Sequence, residues 1–86
     1  MTTVPVQIEL CGRLADSVGR HITVCIPTAG LSVETLFATL TTGFPALAQS
    51  LASGRIKACV NDKIVLNDYV VQPQDEVALF PPVSGG

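Results

Sequence analysis

The spacing of apolar residues changes twice along this chain, and that change restricts the fold more than any other feature. Val4, Val6, Ile8 and Leu10 alternate with Pro5, Gln7, Glu9 and Cys11, as in a strand with one buried face. Ile22, Val24 and Ile26 repeat the pattern after a link closed by Gly19, so residues 4–10 and 21–26 are predicted to form an antiparallel hairpin. The period then becomes helical: Val33, Leu36, Phe37 and Leu40 fall at i, i+3, i+4 and i+7. Ser32 is placed to cap this helix, Glu34 suits its positive end, and Leu31 and Leu36 occupy the positions of a hydrophobic staple. Gly43 is the expected stop, with Pro45 just beyond it.

After the helix the alternation returns. Residues 46–52 can form a second short helix ended by Gly54, and Ile56, Ala58 and Val60 mark a third strand. Asn61-Asp62 is a turn signal leading into a short strand over 63–66. Residues 67–74 read as loop. Residues 75–81 make the last strand, which Pro81-Pro82 ends because proline donates no ladder hydrogen bond. Two hairpins around one main helix predict an α+β roll, a mixed sheet with the helix across one face. The first and last strands would lie parallel at its centre. This arrangement turns Cys11, Cys25 and Cys59 away from the helix, toward a sheet face offered as a partner-binding surface.

Size limits what such a roll can do. With 86 residues the chain makes one small domain with a modest core, expected over 1–81 with a flexible tail over 82–86. Only 14% of residues are charged, against a usual ~25%, so apolar side chains must remain on the surface. Five basic residues without a tract, and no tryptophan, set nucleic-acid binding aside. No run approaches the ~20 apolar residues that span a bilayer, and no secretory signal is visible, so the expected compartment is the cytosol. The scattered cysteines and the single histidine, His21, do not suit a metal site, and none is expected. They read as free thiols and a surface histidine. Asp75-Glu76 resembles a carboxylate pair, but neighbours on a strand point to opposite faces, so it is read as a cap on the turn. No phosphate-binding loop, dinucleotide fingerprint or nucleophile elbow occurs. No self-contained active site emerges, and whether the chain is itself an enzyme stays open.

The end of the sequence is chemically distinct. Gly85-Gly86 is the slimmest tail a polypeptide can have, able to thread a narrow channel. Its carboxylate is a poor electrophile, but adenylation would make it a reactive mixed anhydride, and a sulfur donor could convert that to a thiocarboxylate. The full run Asp75-Glu76-Val77-Ala78-Leu79-Phe80-Pro81-Pro82-Val83-Ser84-Gly85-Gly86 closely resembles the ends of the MoaD family, small subunits of molybdopterin synthase. Val60-Asn61 and Gly19 fit the same pattern, and the likeness covers essentially the whole chain. Cys11 and Ala15 depart from it, where relatives often carry an aromatic residue and an arginine.

The resemblance implies a ubiquitin-like β-grasp fold and a sulfur carrier of molybdenum cofactor biosynthesis. Gly86 would bear the acyl-adenylate and then the thiocarboxylate. Phe80, Pro81, Pro82, Val83, Ser84 and Gly85 would serve as tail and partner contacts. It further implies a MoeB-like adenylating enzyme that uses ATP, with no cofactor bound by this chain. A large MoaE-like subunit would accept the tail in a heterotetramer, where sulfur passes to cyclic pyranopterin monophosphate. The alternatives are a thiamine-pathway sulfur carrier, whose tails generally lack Phe-Pro-Pro-Val, and a ubiquitin-like modifier that joins Gly86 to a lysine.

Overall fold

The alternating segments pair as their periodicity requires. In the computed structural model, which describes residues 2–81, β1 (Thr3–Leu10) and β2 (His21–Pro27) form an antiparallel hairpin with Val6 opposite Val24 and Ile8 opposite Ile22. The link between them is a 3₁₀ turn at Gly12–Leu14 followed by a single helical turn, α1 (Ala15–Val18). Helix α2 (Val33–Gly43) begins where the sequence places its cap, the Ser32 Oγ accepting a 3.2 Å hydrogen bond from the Thr35 backbone N–H. It buries Val33, Leu36 and Leu40, with Phe37 packed at the margin of the core. Pro45 opens the next helix, α3 (Pro45–Ala52), at a first-turn position where its missing N–H costs nothing.

The second half completes one mixed sheet. β4 (Lys57–Val60) and β5 (Lys63–Val65) are joined by Asn61-Asp62, both at positive φ (52° and 70°), the two-residue turn that matches strand twist. The last strand, β7 (Val77–Phe80), lies parallel to β1, with Ile8 opposite Val77 and Leu10 opposite Leu79, and antiparallel to β4. The order is β2-β1-β7-β4-β5, so the first and last strands sit together inside the sheet, as expected. One sheet face is the core. Ile8, Leu10, Ile26, Leu36, Leu40, Leu47 and Leu79 are almost fully buried there. This is the α+β roll of a β-grasp domain.

Two expectations need correction. Residues 67–74 are not all loop: β6 (Val70–Val71) pairs antiparallel with β3 (Leu31–Ser32) in a separate two-stranded sheet. Strands this short give little periodicity to read. Gly30 makes the pairing possible, because at φ +101° a Cβ would stand 2.8 Å from Val70 Cγ1 and 3.0 Å from the Val71 carbonyl oxygen. The last strand also starts later than residue 75. Asp75 and Glu76 instead hold the turn before it. Asn61 Nδ2 donates to Asp75 Oδ1 (3.0 Å), Gln72 N–H to Asp75 Oδ2 (2.8 Å) and Glu76 N–H to Asn61 Oδ1 (2.9 Å). The carboxylate is thus a turn cap, as its sequence position suggests.

Leu79 is completely buried on a strand with neighbours on both sides. Leu79→Ala is expected to cost about 2–5 kcal/mol, read as a lower denaturant midpoint at unchanged m-value. Gly30→Ala combines a left-handed φ with a blocked approach, so it should lower stability by more than about 1 kcal/mol. A thermal melt no lower than that of the parent would show that the β3–β6 pairing tolerates a side chain there.

Candidate functional site: the end of the central strand and the open sheet face

The core side chains of β7 are Val77 and Leu79, so Ala78 and Phe80 point to the opposite face. The register carries that face across the sheet. His21 lies opposite Glu9, Glu9 opposite Ala78, Ala78 opposite Cys59, and Cys59 opposite Ile64, which makes a continuous row of five strands. One step nearer the strand end, Phe80 lies opposite Lys57. Phe80 is 40% exposed and Ile64 70% exposed, large apolar side chains that the core does not use. The face holds a depression of about 600 Å³ lined by Cys11, Cys59, Ala78 and Phe80 and by the acidic residues Glu9, Asp62, Asp75 and Glu76.

The cysteines are where the alternation places them. Cys25 is exposed opposite Pro5, Cys59 is half-buried on the row just described, and Cys11 is half-buried just past β1. All three are free thiols. Burial pushes the Cys11 thiol up from its ordinary value, the nearby Glu9 carboxylate and Cys59 add to the rise, and the Arg20 guanidinium opposes it. A raised thiol holds less of the thiolate that attacks electrophiles. Among the described residues no group of three or more histidine, cysteine or acidic side chains could hold a metal ion. His21 is exposed at the start of β2, and none of the side-chain hydrogen bonds among the described residues involves it.

Of the residues singled out in the sequence, the structure places Phe80 at the end of β7 on the open face and Pro81 immediately after it, half-buried. Pro82, Val83, Ser84, Gly85 and Gly86 lie outside the described residues. The Cys11 N–H donates to the Leu79 carbonyl at 3.0 Å, extending the β1–β7 ladder to the last turn before Pro81. Pro81 then rests on Gly12, whose φ of +58° turns the chain. A Cβ at residue 12 would come within 3.1 Å of Pro81 Cγ. Gly12 is thus a seat for the base of the tail, a role the sequence showed only as the start of a turn. Arg13 and Arg55 also went unmarked there. They line one groove with Leu14, Ser53, Ile56 and Pro81, brought together because β4 starts where β7 ends. Nothing local in the sequence marks that meeting, since Arg13 and Arg55 are neighbours only through the sheet.

Pro81, the last described residue, therefore leaves a strand bonded on both sides, beside a partly apolar face and two arginines, and no catalytic group is assembled there among the described residues. Proteins of this design are known. Over 39 residues the chain is 46% identical to the molybdopterin synthase sulfur carrier subunit of Escherichia coli (strain K12), covering 45% of this chain and 48% of that protein. The chain thus spans about half the length of the curated relative it matches. Its structure is similar to that of SAMP1 from Haloferax volcanii, with a TM-score of 0.78 and 26% identity over 96% of this chain and 100% of the other. It is also similar in fold to a chain in the complex of subunits 1 and 2 of molybdopterin-converting factor from Helicobacter pylori 26695. That TM-score is 0.65 at 20% identity, covering 96% of this chain and 100% of the other. The model of the ThiS family matches residues 8–86, nearly the whole chain, and to that family this protein belongs.

Proposed function

We propose that this protein is the sulfur carrier of molybdopterin synthesis, with Gly86 as the group that carries the sulfur. The observation that supports it most is the seating of the tail. A central strand, bonded on both sides, ends at Phe80-Pro81, and the sequence Pro82-Val83-Ser84-Gly85-Gly86 follows directly. The proline pair restricts the backbone at the base, while the two glycines remove every side chain near the carboxylate. The likeness to the Escherichia coli sulfur carrier subunit favours molybdopterin over other sulfur pathways.

The chemistry proceeds in three steps on one carbon. A partner enzyme of MoeB type activates the Gly86 carboxylate with ATP, forming an acyl-adenylate and releasing pyrophosphate. A sulfur nucleophile attacks the acyl carbon and expels AMP, leaving a thiocarboxylate. A large subunit of MoaE type then receives the tail, and the thiocarboxylate sulfur attacks a carbon of the pterin precursor and displaces an oxygen leaving group, forming an acyl–sulfur link. Water hydrolyses that link at the acyl carbon, which leaves the sulfur on the pterin and returns the Gly86 carboxylate. This chain supplies the acyl group and the surfaces that orient it, while the partner enzymes supply the active sites. The Helicobacter pylori structure of similar fold is a complex of subunits 1 and 2 of molybdopterin-converting factor, and the open sheet face with Phe80 and Ile64 fits docking to a partner subunit here.

A second reading is that of a ubiquitin-like modifier, favoured by the likeness to SAMP1 along the whole chain. The two readings share the adenylation step and differ in the nucleophile, sulfur in one and a lysine amine in the other. Intact-mass measurement after incubation with the adenylating enzyme, ATP and a sulfur source separates them. One oxygen exchanged for sulfur is the expected product, whereas conjugates of higher mass on a gel would favour the modifier. Deleting Gly86 should abolish sulfur loading and leave the thermal melt and large-subunit binding close to those of the parent. Loss of the folded state in that variant would show the tail to be structural.

A further inference from the structure

The chain has a net charge of −2, yet its charges are sorted along the strand axis. At the end where β7 finishes, Lys57 lies opposite Phe80, and Arg55 precedes it in the groove that Arg13 and Pro81 also line. The Arg20 carbonyl oxygen accepts from the Leu10 N–H at 2.7 Å, which brings Arg20 to the same end. Four of the five basic residues therefore surround the strand end, all exposed, with Asp16 and Glu9 the acidic residues nearby. None of the hydrogen bonds among the described residues uses the side chains of these four. At the other end of β7 the order is reversed. Asp62 stands in the β4–β5 turn and Asp75 and Glu76 in the turn before β7, held together by the Asn61 hydrogen bonds, with Lys63 as the basic residue beside them.

An anionic molecule with a cationic collar around one strand end is oriented by an external field. We propose that the collar of Arg13, Arg20, Arg55 and Lys57 docks against an acidic rim at the channel mouth of the adenylating enzyme that activates the Gly86 carboxylate. This rests on the sulfur-carrier reading above, because that reading is what places a channel beyond Pro81. The collar steers the tail end forward, while the acidic end is repelled from the same rim. A polyanion such as nucleic acid fits less well, since it would meet the opposite end's carboxylates and finds no aromatic stacking row.

Stopped-flow association with the cognate MoeB-like adenylating enzyme tests this, at roughly 0.05 M and 1 M salt, where screening lengths differ severalfold. Arg13→Glu and Arg55→Glu should each slow association about tenfold at low salt, and the difference should vanish at high salt. Lys63→Glu makes the same change in net charge at the far end and should not slow it. Equal slowing by all three variants, or by none, would overturn the collar. So would arginine-dependent binding of a single-stranded oligonucleotide with no binding of the enzyme. Sulfur loading of the parent protein is read in the same samples. Loading with arginine-independent association sinks the collar alone. Arginine-dependent association without any loading upholds the collar and sinks the sulfur-carrier reading. Circular dichroism melts confirm that the variants compared are folded.

Discussion

The parallel pairing of β1 with β7 is the constraint on which the rest of the structure depends. Parallel neighbours cannot be joined by a tight turn, so everything from Cys11 to Glu76 is the crossover between them. The helices cover one face because the connection must pass over the sheet. β7 is buried between β1 and β4, so it is in place only when both ends of the sequence have met. Contacts of such long sequence separation slow folding, but they also tie the base of the C-terminus to the most protected part of the molecule. Pro81 therefore leaves from a fixed point, and its position against Gly12 is set by the core rather than by a loop.

That geometry divides the molecule by side-chain alternation. On β7, Val77 and Leu79 hold the strand in place, while Ala78 and Phe80 face the open side. One four-residue strand thus anchors the fold, contributes to the candidate docking face and sets where Pro81 leaves the sheet. The face has a mixed character. Phe80 and Ile64 supply the apolar area, Glu9 sits in the middle of the row, and the arginine groove borders the strand end. An apolar patch with charged margins resembles the core and rim of a protein interface, in which the apolar part supplies affinity and the rim governs approach.

Much of this was readable in the sequence because the relevant signals were local and periodic. Alternation in 4–10 and 21–26 predicted the hairpin, Ser32 predicted the start of α2, and the parity of Cys11, Cys25 and Cys59 placed them on the open face. The failures share a physical cause. Val70–Val71 pairs with Leu31–Ser32 through two residues a side, too few to leave a period, and Gly30 shows its purpose only when Val70 approaches it. Gly12 is likewise legible as a turn but not as the seat of Pro81. Arg13 and Arg55 become neighbours only through the β7–β4 register. Family membership was legible in a different way, through the run from Asp75 to Gly86, and the ThiS-family match over residues 8–86 agrees with it.

The three thiols sharpen that division of labour. Cysteine is the usual side chain on which a protein holds sulfur, and Cys11 and Cys59 do line the depression beside the strand end. Yet burial and the Glu9 carboxylate push the Cys11 thiol up, away from the nucleophilic form. Cys11 sits beside β7 near Phe80 and Cys59 lies beyond β7 opposite Ala78, so a full strand separates them. Two interstrand spacings are about 10 Å, beyond the ~7 Å that a disulfide can bridge without backbone movement. Sulfur on a cysteine would also stay fixed to the sheet, where only a surface-bound acceptor could reach it. In the proposed role the Gly86 acyl carbon would be offered to one enzyme for activation and to another for delivery. The sheet's thiols need take no part in that chemistry, and the strand between Cys11 and Cys59 keeps those two apart.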